Sequence, residues 1–122
     1  MQKHFNIIII GAGPSGLSAA TRASEQGAGY LLLEAADAPA NTIRHYQRRK
    51  LVMAEPRALP LRSPLPFSAS LRENVLETWE KIIADRKINI RYNAKVADIS
   101  RTPKHLKVTL EDGVKYTADH VI

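Results

Sequence analysis

The residues of this chain with the clearest chemical potential are three glycines and one acid. Gly11, Gly13 and Gly16 stand in the run Gly11-Ala12-Gly13-Pro14-Ser15-Gly16, and Glu34 follows 18 residues after Gly16. Each glycine meets a separate physical need. Gly11 allows a tight turn, and Gly13 lets backbone approach a pyrophosphate with no Cβ in the way. Gly16 lets a following helix pack close to the preceding strand, and Ala20 continues that small-residue face one turn on. A helix that starts here presents unbonded N–H groups and the positive end of its dipole to phosphate. Glu34 is placed where a carboxylate can accept hydrogen bonds from ribose hydroxyls.

The elements that would position these groups are legible around them. Ile7 to Ile10 is a short, continuous apolar run bounded by glycine, the mark of a strand buried on both faces. A helix is expected over 14–26, with Gly27 and Gly29 as its stop. A second strand covers 30–33 and ends on Glu34. Strand, glycine turn, helix, strand and acid agree with one another, which a merely structural glycine turn does not require. Two rival motifs fail on single residues. A phosphate-binding P-loop needs lysine where Leu17 stands. A nucleophile elbow around Ser15 needs glycine at that same position, so Ser15 reads as a first-turn helix residue.

Ile9-Ile10-Gly11-Ala12-Gly13-Pro14-Ser15-Gly16-Leu17, followed by Ala19-Ala20, resembles the start of FAD-dependent oxidoreductases with two dinucleotide-binding domains. That superfamily includes pyridine nucleotide-disulphide oxidoreductases, thioredoxin-reductase-like enzymes and flavin monooxygenases. The resemblance implies that this region holds the ADP half of FAD. Gly11, Ala12, Gly13, Pro14, Ser15 and Gly16 would then line the pyrophosphate. Glu34 would hold the adenosine ribose, with Ala35 beside it. An acid at that position would repel a 2′-phosphate, and Ala35-Ala36 offers no arginine, which argues against NADP here. The resemblance also implies a parent enzyme that takes hydride from NAD(P)H onto FAD. Its nicotinamide domain lies outside this chain.

Composition limits the alternatives. A chain of 122 residues, 44% of them apolar, can bury one modest core. It has no cysteine, which excludes a disulfide framework, a thiolate metal site and a redox-active cysteine pair within it. That composition suits a reducing cytoplasm, the expected location. The N-terminus is too short and polar for a leader, and no apolar run is long enough for a membrane helix. The four histidines, His4, His45, His105 and His120, share no ligand spacing, so no metal site is expected. No catalytic constellation is visible either; in a flavoenzyme the flavin performs the redox step and the protein positions it. The formal charge of +6 reads first as a solvated basic surface, and nucleic-acid binding is not expected because Tyr46 alone interleaves the basic run Arg44 to Lys50.

After Glu34 the periodicity stops, and four of the seven prolines (Pro56, Pro60, Pro64 and Pro66) fall close together. Residues 35–69 are read as a loop-rich connection with a short helix near Thr42 to Arg49. A glycine pair common after this acid in relatives is absent. The pattern Ser70-Leu71-Arg72-Glu73 predicts a capped helix, with Leu71, Val75, Trp79, Ile82 and Ile83 on its apolar face. Trp79 reads as core. Ile88 to Tyr92 alternates as a third parallel strand, which completes a βαβαβ unit of strand order 3-2-1. Lys95 to Ser100, Leu106 to Leu110 and Val114 to Ala118 form a three-stranded antiparallel β-meander over 95–118, with a turn at Glu111-Asp112-Gly113. The resemblance places Val96 of its first strand beside the adenine.

Asp119 to Ile122 reads as the opening of one more parallel strand, cut short at the chain end. The expected fold is therefore α/β: a Rossmann-like FAD/NAD(P)-binding unit with a meander, apparently truncated, filling residues 1–122 as one domain fragment. A sheet edge left at that end would favour a homodimer. Two other functions fit the residues: a Rossmann module that binds NAD or another adenine nucleotide without its own catalysis, and a basic interaction module with a vestigial fingerprint.

Overall fold

Isoleucine and leucine runs with apolar neighbours on both faces favour central parallel strands, and the computed structural model builds its sheet around them. It describes residues 3–40, 51–52, 64–65 and 70–122. Strand β1 (His4–Ile10) leads into helix α1 (Pro14–Glu25) and strand β2 (Tyr30–Leu33). Two short strands, β3 (Leu51–Val52) and β4 (Ser70–Leu71), precede helix α2 (Arg72–Asp85) and strand β5 (Ile90–Arg91). Strands β6 (Val96–Arg101), β7 (Leu106–Leu110) and β8 (Lys115–Val121) complete the chain. The main sheet has six strands in the order β5-β2-β1-β8-β7-β6. β5, β2 and β1 run parallel, the 3-2-1 order expected of the βαβαβ unit.

The meander is present, with one difference from the expected pattern. Its third strand and the following parallel strand are a single element. β8 pairs antiparallel with β7 and parallel with β1, and Thr117 and Ala118 are bonded on both sides. No glycine or proline interrupts 115–121, and the two buried residues Tyr116 and Ala118 share one face, so the extended backbone has no reason to break at Asp119. The chain end is tied to β1 as well: the Ile122 N–H donates to Ile8 O and the Ile10 N–H to Ile122 O, each at 2.9 Å. β8 is therefore interior, and the sheet edges are β5 and β6. The edge argument for self-association moves to those strands. β6 is blunted by Asp98, Arg101 and a register shift between Val96 and Asp98.

Each face of the parallel strands has its own core. On the helix side Ile9, Leu17, Ala20, Leu32, Val75, Leu76, Trp79 and Ile88 pack together. On the other side Ile8, Leu31 and Leu33 meet Val108, Leu110, Tyr116 and Ala118 of the meander. All four residues of β2 are buried, which is why its sequence shows no polar alternation. Trp79, 1% exposed, belongs to the core, as its helical spacing indicates. Helix α2 begins at Arg72, two residues later than the capping pattern suggests, because Ser70 and Leu71 pair with Val52 and Leu51. Of this small antiparallel pair, β3 stands within the stretch 35–69 read as loop, and β4 stands where the helix was expected to begin. The short helix near Thr42 to Arg49 and the basic run Arg44 to Lys50 lie outside the described residues. Among the described residues no helix is long and apolar enough to cross a membrane.

Candidate functional site

The β1–α1 turn is shaped by the differing demands of its residues. Gly11 has φ +96°, a backbone conformation that L side chains rarely adopt, and its N–H donates to Leu33 O at 2.7 Å. Ala12 is fully buried; its carbonyl accepts the Ala40 N–H at 2.7 Å. Gly13 is the N-cap of α1 in an extended conformation, and its carbonyl accepts the Leu17 N–H at 2.9 Å. A Cβ on Gly13 would meet nothing within 4 Å among the described residues. A Cβ on Gly16 would lie 1.7 Å from Gly11 O and 2.9 Å from Gly11 C, so only glycine lets α1 sit this close to β1.

The start of α1 has no negative charge of its own in the first turn. Pro14 fills the first helical position, where its missing N–H costs nothing. Among the described residues no side chain caps the helix, and no acidic residue stands in its first turn. The first-turn amides of Ser15 and Gly16 have no intrahelical acceptor by the geometry of any helix N-terminus. The positive end of the helix dipole lies at this same terminus.

Glu34 lies beside this turn, 8% exposed, at the end of β2. Its Oε1 accepts the Ala12 N–H at 2.8 Å and its Oε2 the Ala36 N–H at 2.7 Å. Its backbone is fixed too: the Glu34 N–H donates to Arg91 O at 2.9 Å, and Glu34 O accepts the Ala94 N–H at 2.8 Å. The Asn93 N–H donates to Ala36 O at 2.9 Å. One acid thus joins the glycine turn, the segment after β2 and the segment after β5. A carboxylate offers about four lone-pair sites, so capacity beyond these two amides remains.

The sequence-predicted residues come together unevenly. Gly11, Ala12, Gly13, Pro14, Ser15 and Gly16 form one turn, and Glu34 contacts it through Ala12. Ala35 is exposed next to Glu34. Val96 opens β6, two residues past Ala94, half-buried with its side chain packed against the meander-side core, so it borders the same end of the sheet. Sequence reasoning missed Ala36, Ala40 and Ala94, which act through backbone amides that residue type does not advertise. Ala40 carries a signal only in the structure: a buried non-glycine residue with φ +54° whose N–H is bonded to the glycine turn. It occupies the stretch where relatives were expected to carry glycines.

Two ionisable clusters among the described residues link strands of the sheet. Arg91 donates to the Tyr116 hydroxyl at 2.5 Å and to Asp112 at 3.1 Å, holding the meander over the parallel strands. His4 bonds Thr117 at 2.7 Å and faces Asp119 at 3.4 Å. Among the described residues no group of three metal-ligating side chains converges.

Comparison with known proteins adds three findings. A model of the family described as pyridine nucleotide-disulphide oxidoreductase matches residues 8–122. The comparison with curated proteins returned no match. Solved structures match over nearly the whole chain. One is a double mutant of a flavin monooxygenase from Stenotrophomonas maltophilia, with TM-score 0.80 and 23% identity over 99% of this chain and 37% of that one. A bacillithiol disulfide reductase from Staphylococcus aureus gives 0.78 and 20%, covering 99% and 38%. A cyclohexanone monooxygenase from Rhodococcus sp. Phi1, bound to NADP+, gives 0.77 and 19%, covering 99% and 25%. These likenesses establish a shared Rossmann-like fold, and the chain spans well under half the length of each of the three.

Proposed function

The chain belongs to the pyridine nucleotide-disulphide oxidoreductase family, and we propose that it binds the ADP half of FAD as part of an NAD(P)H-dependent flavin oxidoreductase. One observation carries the reading. Helix α1 starts at Gly13 with no side-chain cap bond and no acid in its first turn, a Cβ on Gly13 would meet no described atom within 4 Å, and the adjoining Ala12 amide is held by the buried Glu34 carboxylate. That donor set fits a dinucleotide: amides for the pyrophosphate, a carboxylate for the ribose, and at Ala35 and Ala36 no cation for a 2′-phosphate.

In this reading Gly11 sets the turn and Gly16 brings α1 against β1. The Ser15 and Gly16 amides hold the pyrophosphate, which approaches over Gly13 and Pro14. Glu34 accepts from the ribose hydroxyls with its remaining lone pairs, beside the exposed Ala35. Val96 borders the adenine through its backbone. Bound FAD supplies the redox chemistry. The role of these residues is to bind and orient the cofactor.

The test is a titration of the chain and of its Gly13→Val variant with FAD and ADP. The variant places a branched side chain in the pyrophosphate path, so it should lose both ligands while its thermal stability changes little. Retained affinity for either ligand would remove the turn from the binding site.

A further inference from the structure

A carboxylate whose role is confined to a ribose needs no partner within its own chain. Glu34 is bonded through both oxygens, to the amides of Ala12 and Ala36. From this geometry we infer that Glu34 is a positioning residue, whose carboxylate holds the β1–α1 turn in its nucleotide-ready shape before any ligand is present.

The Ala12 amide lies in a residue with no solvent exposure, between Gly11 at φ +96° and the N-cap Gly13. Without the Glu34 carboxylate it would be a buried donor without an acceptor, a costly state. The Ala12 carbonyl is held by Ala40, so both polar groups of the residue are fixed. The direction of the chain through Gly13, and hence of the Ser15 and Gly16 amides, follows from that anchoring. Glu34 can act as the anchor because its own backbone is bonded to Arg91 and Ala94 on β5 and the segment after it. An anionic acceptor strengthens each amide bond relative to a neutral one. Two lone-pair sites remain for ribose, so positioning and ribose binding coexist in one side chain.

The inference rests on the proposed nucleotide site for its ligand arm, and its ligand-free arm is independent of that site. Glu34→Gln is close to isosteric, but its amide nitrogen donates and cannot accept, so either Ala12 or Ala36 loses its partner. In the ligand-free variant, amide hydrogen exchange at Ala12 or Ala36 should accelerate about tenfold or more, while amides in the centre of β1 and β2 keep their protection. The ligand arm compares ADP with 2′,3′-dideoxy-ADP, which lacks both ribose hydroxyls. The variant should weaken the dideoxy analogue as well, by about tenfold.

Unchanged exchange, with affinity lost for ADP but not for the dideoxy analogue, would make Glu34 a ribose acceptor alone and overturn the inference. Faster exchange with unchanged dideoxy-ADP affinity would reduce it to a brace and overturn it as well. If the unaltered chain binds neither nucleotide, the proposed function fails, and the exchange arm still decides whether Glu34 holds the turn. Should the Gln variant not fold, Glu34→Asp is read in the same way, since it keeps the charge but is a methylene short of spanning both amides.

Discussion

Replacing Gly16 with alanine sets two physical effects against each other. Within a helix, alanine is favoured over glycine by about 1 kcal/mol, so helix propensity alone predicts a more stable protein. Packing predicts the opposite. The new methyl carbon would stand 1.7 Å from Gly11 O and 2.9 Å from Gly11 C. Both are backbone atoms of a turn fixed by the Gly11–Leu33 hydrogen bond, so no rotamer change relieves the contact. Helix α1 must move away from β1 by more than 1 Å, and Leu17, Ala20 and Leu32 separate with it. Overpacking that shifts backbone costs roughly 3 kcal/mol, which outweighs the propensity gain and leaves a net loss of about 2 kcal/mol or more. For a domain of this size that lowers Tm by roughly 5–10 °C. Thermal unfolding followed by far-ultraviolet circular dichroism measures it directly. An unchanged or raised Tm would mean that α1 does not rely on close approach at Gly16, and would refute the packing argument.

Other substitutions separate conformation, core and network effects. Gly11→Ala meets no atom within 4 Å, but its φ of +96° should cost about 1–2 kcal/mol from backbone strain alone, read as a lower midpoint in urea with an unchanged slope. Trp79, the single tryptophan, is 1% exposed; its fluorescence should shift to the red on unfolding, and Trp79→Ala should cost about 3–5 kcal/mol and leave little folded protein at room temperature. Arg91 and Tyr116 should show a coupling of about 0.5–1 kcal/mol in a double-mutant cycle with Arg91→Ala and Tyr116→Phe, kept small because Arg91 is 35% exposed. Independent, additive effects would contradict the bond between them.

The parallel half of the fold was readable because its signals are local. Four isoleucines, three spaced glycines and Tyr30 to Leu33 each dictate a conformation with no help from distant residues. Trp79 and its helical neighbours were equally plain. What could not be read depends on partners far along the chain. Continuity of β8 follows from simultaneous pairing of Thr117 and Ala118 with β1 and β7. The late start of α2 follows from Ser70 and Leu71 pairing with a strand some twenty residues earlier. At the site, the acid and the glycines were evident from type and spacing. The use of both Glu34 oxygens by Ala12 and Ala36 was not, because backbone donors carry no residue signature.

The measurement that bears most directly on the functional account is the ultraviolet-visible spectrum of the purified chain, with a thermal-shift titration against FAD, NAD and NADP. The account predicts a flavin absorption band or, in protein purified without ligand, stabilisation by FAD and none by NADP. Colourless protein stabilised by NAD and not by FAD would contradict it, as would the absence of any nucleotide effect on a folded chain.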